Sequence, residues 1–188
     1  MEEETNELKR ASLDVFISQL INFILYMWLA KILLRLPTFV KDPLAVLAYP
    51  SNSKVFYLAT VFIFIHILMK LKHRKDRLHL IRTMIPVFFV AHFLFEFIQT
   101  VVIGMKPNWT LLVFYMLLAI VYTLLNGKVR QDILLRISVY SWIVGQMILA
   151  IFTKVSIFGY SVGLLYLLAL LILTTGITLY SRKTKINI

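Results

Sequence analysis

Apolar positions in this chain gather into six runs, at approximately 12–35, 55–70, 83–104, 109–126, 137–154 and 158–180, each bounded by charge, proline or glycine. A helix that crosses the ~30 Å hydrocarbon core of a bilayer needs ~20 residues. The third, fourth and sixth runs meet that length. The second is short, but Lys54 and Lys70 at its ends can reach toward the headgroups and extend it. Lys31 and Arg35 stand in the same snorkelling position at the exit of the first. The narrowest division is KVSIFGYS, between the fifth and sixth runs, where Gly159 is the residue that permits a turn. The pattern predicts an all-α, polytopic integral membrane bundle of about six transmembrane helices, forming a single transmembrane domain over residues 1–188.

The polar segments between the runs give this bundle an orientation, because cytoplasmic loops of membrane proteins are enriched in Lys and Arg. With the N-terminus inside, the inner segments hold Lys9, Arg10, Lys70, Lys72, Arg74, Lys75, Arg77, Arg82, Lys128, Arg130, Arg136, Arg182, Lys183 and Lys185, which is fourteen. The outer side holds Lys31, Arg35, Lys41, Lys54, Lys106 and Lys154, which is six. Both termini are therefore expected in the cytoplasm, the first preceded by an acidic tail over residues 1–11.

Two connections stand out. Residues 70–82, KLKHRKDRLHLIR, read as a basic inner loop in which Lys72, Arg74, Lys75 and Arg77 either contact anionic lipid headgroups or only fix the topology. Residues 37–54 read as an outer loop. Its prolines, Pro37, Pro43 and Pro50, are expected to prevent a regular helix, and its LAVLAY centre to lie on the membrane surface or fold over the outer mouth of the bundle.

Composition agrees with the bilayer as solvent. The 188 residues are 60% hydrophobic, against roughly half in soluble domains, with 15% charged residues and a mean hydropathy of +0.84. A net charge of +11 would suit nucleic acid, but the basic residues cluster between apolar runs, so no nucleic-acid partner is expected. Cysteine is absent, which excludes disulfides, thiolate metal sites and thiol catalysis. The start, MEEETNELKR, is acidic rather than signal-like, so the first apolar run is expected to remain in the mature protein.

The candidate chemistry lies in AHFLFEFIQT, residues 91–100. Of nine acidic residues, Glu2, Glu3, Glu4 and Glu7 lie in the tail, Asp14 near the inner interface, and Asp42, Asp76 and Asp132 in loops, which leaves Glu96 alone deep in a run. A charge at that depth is costly unless it is paired, protonated or hydrated. His92, Glu96 and Gln99, spaced i, i+4, i+7, share one helix face. Asp14, Ser18, Asn22 and Tyr26 make a similar stripe in the first run, with Gln19 beside Asn22, and Gln146 lies in the fifth. Asn22, His92 and Gln146 fall at comparable depth, so three helices are expected to meet around one polar centre. A carboxylate beside an imidazole can pass protons, or grip a cationic or hydrogen-bonding solute. The plainer alternative is that the pair only holds helices together.

No cofactor is expected. His66 and His92 as axial haem ligands would sit at depths differing by about 6 Å. Neither an HExxH cluster, a GxSxG elbow nor a Walker-type phosphate loop occurs. With short loops and no soluble domain, the expected function is that of a non-catalytic membrane protein, an accessory or regulatory subunit or a small transport component, in a cell membrane of bacterial type. Its partners are the lipid bilayer and another membrane protein subunit. The alternative is a membrane-embedded enzyme acting on a lipid-borne substrate, with Glu96 and His92 as acid and base.

Overall fold

A computed structural model describes the backbone of residues 2–70, 74–103 and 108–186, and side chains of residues 13–69, 81–103 and 108–179. Within these limits the chain is helical apart from one small hairpin. The elements are α1 (Glu2–Leu34), α2 (Leu36–Lys41), α3 (Pro43–Ala48), α4 (Ser53–Lys70), α5 (Arg74–Phe97, continued by a π turn, Ile98–Val102), α6 (Trp109–Leu125), α7 (Gln131–Phe152), β1 (Ser156–Ile157), β2 (Tyr160–Ser161) and α8 (Leu164–Ile186). Among the described residues, three helices are long and apolar enough to cross a membrane: Leu13–Leu34, Ile81–Val102 and Gln131–Phe152. Ser53–Met69, Trp109–Leu125 and Leu164–Leu179 are apolar but shorter. Large apolar side chains such as Trp28, Met69, Val102 and Leu165 are exposed along these helices, as expected where lipid rather than water surrounds them.

The chain divides into two compact units, Met1–Met84 and Ile85–Ile188. The boundary falls within α5, beside Pro86, whose ring disfavours a continuous helix.

In the first unit α1 packs along α4. Ala30 and Ala59 are both fully buried, and such small side chains let helices approach closely where no water drives them together. Met27, Val55 and Phe56 complete this core, and the Phe23 and Phe56 rings meet edge to face.

The prolines of segment 37–54 do not prevent helix formation. Pro37 and Pro43 lie in the first turns of α2 and α3, where the missing N–H has no intrahelical partner to lose. Asp42 caps α3, accepting from Ala45 N at 3.0 Å. Lys31 does not snorkel outward: it is buried, and its Nζ donates to Leu47 O at 3.2 Å and Tyr49 O at 2.7 Å, covering carbonyls at the end of α3. Arg35 lies over the Tyr49 ring at 4.2 Å. Two charged side chains of α1 and its exit thus hold the segment.

Most of the segment expected as an inner loop, 70–82, is also helical, since α5 begins at Arg74. Lys72, and the side chains of Arg74, Lys75 and Arg77, lie outside the described residues.

In the second unit α6 packs on α7, and α7 on α8. Gly145 on α7 makes room for the Phe114 ring of α6, which a Cβ there would overlap. The fifth helix starts at Gln131, earlier than its apolar run, and the sixth starts at Leu164, later than its own. The difference is the hairpin, which pairs Ser156 with Ser161 and Ile157 with Tyr160. Its two turn residues both have positive φ, 47° at Phe158 and 83° at Gly159. This is the type I′ signature that matches the twist of paired strands. Gly159 takes the conformation freely, whereas Phe158 is held in it.

Candidate intramembrane site

α5, α6, α7 and the hairpin bring one polar cluster together inside the second unit. His92 and Gln146 are fully buried, and Glu96 is 6% exposed. One turn of α5 sets His92 Nε2 3.6 Å from Glu96 Oε1. That is an ion-pair distance, yet too long for a hydrogen bond. Both ring nitrogens of His92 and Oε1 of Glu96 are accordingly buried without a hydrogen-bond partner.

Tyr115 of α6 is the hub. Its ring lies 3.9 Å from the His92 ring, centre to centre. Its hydroxyl oxygen accepts from Trp142 Nε1 at 3.0 Å and from Gln146 Nε2 at 2.7 Å, both on α7. The remaining walls around His92 are aromatic. Phe158, at the hairpin tip, stands 4.6 Å from the imidazole, with Phe88 at 5.9 Å and Phe95 at 6.1 Å. The strained backbone of Phe158 thus places a ring against the imidazole. Strain of that kind persists where the surroundings over-determine it.

Gln99 follows Glu96 within the π turn, and its Oε1 is also buried and unpartnered. π turns are rare in helices and often mark functional positions.

Gln19 and Asn22 belong to the first unit, where a separate polar set forms. Asn22 Nδ2 donates to His66 Nε2 at 3.4 Å, and His66 Nδ1 meets the Tyr26 hydroxyl at 2.8 Å. The i, i+4 stripe of α1 is therefore answered by a histidine of α4. Gln19 is buried, with its Oε1 unpartnered.

Comparison with family models, curated proteins and solved structures returned no match.

Tyr115, Trp142 and Phe158 were not among the candidates that depth and spacing selected. Their signal in sequence is weak, because tyrosines and phenylalanines are common throughout the chain. A phenol inside an apolar run, on a different helix from a buried amide, is the one cue that could have pointed to Tyr115.

Proposed function

We propose that this is a non-catalytic, multi-pass membrane protein with six crossings and both termini in the cytoplasm, acting as a small transport component through a buried proton or cation site at Glu96 and His92. One observation carries the reading: an imidazole and a carboxylate, buried 3.6 Å apart, leave three polar atoms without partners. Buried polar groups are normally satisfied, and each exception asks for an explanation. An ion supplies one here. A proton passing between the two groups, or a cation beside the carboxylate, would give these atoms a partner.

Burial favours transport over the enzymatic alternative. A lipid-borne substrate would have to reach groups enclosed by Phe88, Phe95, Tyr115 and Phe158, whereas a proton or small ion needs only a narrow path. The six-crossing topology is supported by the fourteen-to-six division of basic residues and by the three shorter apolar helices beside the three long ones.

The deciding measurement is a potentiometric titration of purified protein in nanodiscs, comparing wild type with Glu96→Gln. The substitution keeps size and hydrogen bonding while removing the titrating group. The difference curve should contain one proton per chain, and function at matched membrane abundance should be lost. Superimposable curves, with full activity retained, would leave the pair as helix-to-helix glue.

A further inference from the structure

The four rings around the His92 imidazole are not held alike. Phe88 and Phe95 lie one turn before and one turn after it on α5, so helix geometry fixes them. Tyr115 is fixed on α6 by the hydrogen bonds it accepts from Trp142 and Gln146. Of the four, only Phe158 comes from a two-residue turn, and its ring stands 4.6 Å from the imidazole. Exposure falls along this line, from Gly159, exposed, through Phe158, half-buried, to His92, fully buried.

The backbone at Phe158 opposes the position of its ring. A φ of 47° is left-handed and costly for a bulky side chain. Relaxing to an extended φ removes that cost and carries the ring away from His92. Packing holds the ring where it is, against His92 and against Phe88 at 5.7 Å and Phe95 at 5.8 Å. The base of the hairpin is anchored separately. Val155, Ile157 and Val162 are buried, Val162 N donates to Val155 O at 2.9 Å, and Asn108 Nδ2 donates to Lys154 O at 3.3 Å. Strain and packing therefore act in opposite directions on two residues at the tip, which is the balance a two-state element needs.

We propose that the hairpin tip is a gate over the buried pair: Phe158 closes it while the turn is left-handed and opens it when the turn relaxes, admitting water and the ion from the hairpin end of the second unit. The proposal rests on the reading of Glu96 and His92 as an ion site, and adds the element that controls access to it. Gly159 makes the gate adjustable without touching the ring. Its φ is 83°, and a Cβ there would meet only Phe95 Cζ, at an ordinary 3.5 Å. A side chain at 159 thus acts first through the backbone.

The test uses the full chain in right-side-out and inverted membrane vesicles. The chain has no cysteine, so His92→Cys supplies a single thiol. Its rate of reaction with a membrane-impermeant quaternary-ammonium methanethiosulfonate follows the population of the open form. A separate Gly159→Cys variant marks the face on which the hairpin lies, and His92→Cys should react from that face. Adding Gly159→Val should raise the rate about tenfold, since a β-branched residue disfavours the left-handed turn. Gly159→Asn, close in size but tolerant of positive φ, should leave the rate within about twofold. Phe158→Ala should accelerate reaction at least as much as Gly159→Val. If His92→Cys does not insert, Phe88→Cys, whose native ring also packs on Phe158, replaces it as the reporter.

Equal rates in Gly159→Val and Gly159→Asn would make Phe158 fixed packing and overturn the gate. Acceleration from the opposite face, or none in Phe158→Ala, would place the entrance elsewhere and overturn it too. The labelling is read with no ion bound, so it fails independently of the titration of Glu96→Gln. An unchanged titration there would remove the ion that the gate serves, and the proposal with it, whatever the labelling rates.

Discussion

Replacing Tyr115 with phenylalanine isolates the hub of the buried cluster. The ring that stacks on His92 is kept, and only the hydroxyl goes. That oxygen accepts from Gln146 Nε2 at 2.7 Å and Trp142 Nε1 at 3.0 Å, so two donors lose their acceptor at once. An orphaned buried donor costs ~1–3 kcal/mol in soluble proteins, while polar pairs inside membranes average ~0.6 kcal/mol and reach ~1.7 kcal/mol. Gln146 is fully buried and should stand at the upper end of the membrane range. Trp142 is half-buried and should stand at the lower end. Their sum is about 2 kcal/mol. Reversible unfolding in mixed micelles, followed by circular dichroism and tryptophan fluorescence, measures it. A double-mutant cycle makes the argument stricter. Gln146→Leu removes the donor that Tyr115→Phe would strand, so the double variant should be more stable than additivity predicts, by about 1 kcal/mol. A Tyr115→Phe variant as stable as wild type, or strict additivity with Gln146→Leu, would refute the claim that this hydroxyl organises α6 against α7.

Three further outcomes are expected. Reporter fusions at Asn126 and after Ile188 should both report a cytoplasmic position, and an external signal at either would remove the six-crossing topology. Lys31→Leu should strip the carbonyls of Leu47 and Tyr49 of their donor, destabilising α3 by about 1–2 kcal/mol. It should also speed thiol labelling of a cysteine introduced at Val46, and unchanged labelling would show that the lysine does not hold the segment. Phe158→Gly relieves ~1 kcal/mol of left-handed strain but gives up three ring contacts. A net loss of about 1–2 kcal/mol is expected, and a raised melting temperature would show that strain outweighs packing.

Periodic apolarity made the helices legible, because lipid imposes length and composition on anything that crosses it. Each of the six apolar runs falls on a helix over most of its length, but helix ends depart from run ends, as at Arg74 and Leu164. The prolines of 37–54 were misleading because a proline's cost depends on its position in a helix, and Pro37 and Pro43 occupy first turns. The turn at Gly159 was legible from its glycine, but the paired strands beside it were not, since SIFGYS differs little in hydropathy from the runs around it. Glu96 and His92 were legible as a pair because one helix fixes their spacing. The fates of Asn22 and Gln146 were not legible. Each depends on which helix faces which, and similar depth says nothing about neighbours. His66, not His92, answers Asn22, while Tyr115 answers Gln146.

The π turn after Glu96 has a consequence for how such a site is altered. A π turn is an α-helix that has taken in one residue too many: its hydrogen bonds close five residues apart, as Ile103 N to Ile98 O does at 3.1 Å. An α-helix turns ~100° per residue, so the end of the π turn, at Val102, is out of phase with the residues before Phe97 by about that step. The spacing of His92 and Glu96 is set by ordinary helix geometry, whereas the placement of Gln99 is set by an insertion. Losing a single residue at Ile98 would restore the α phase and turn Gln99 relative to Glu96 without changing either side chain. The placement of Gln99 relative to Glu96 is thus adjustable by chain length, through one-codon insertions and deletions that no substitution scan would sample.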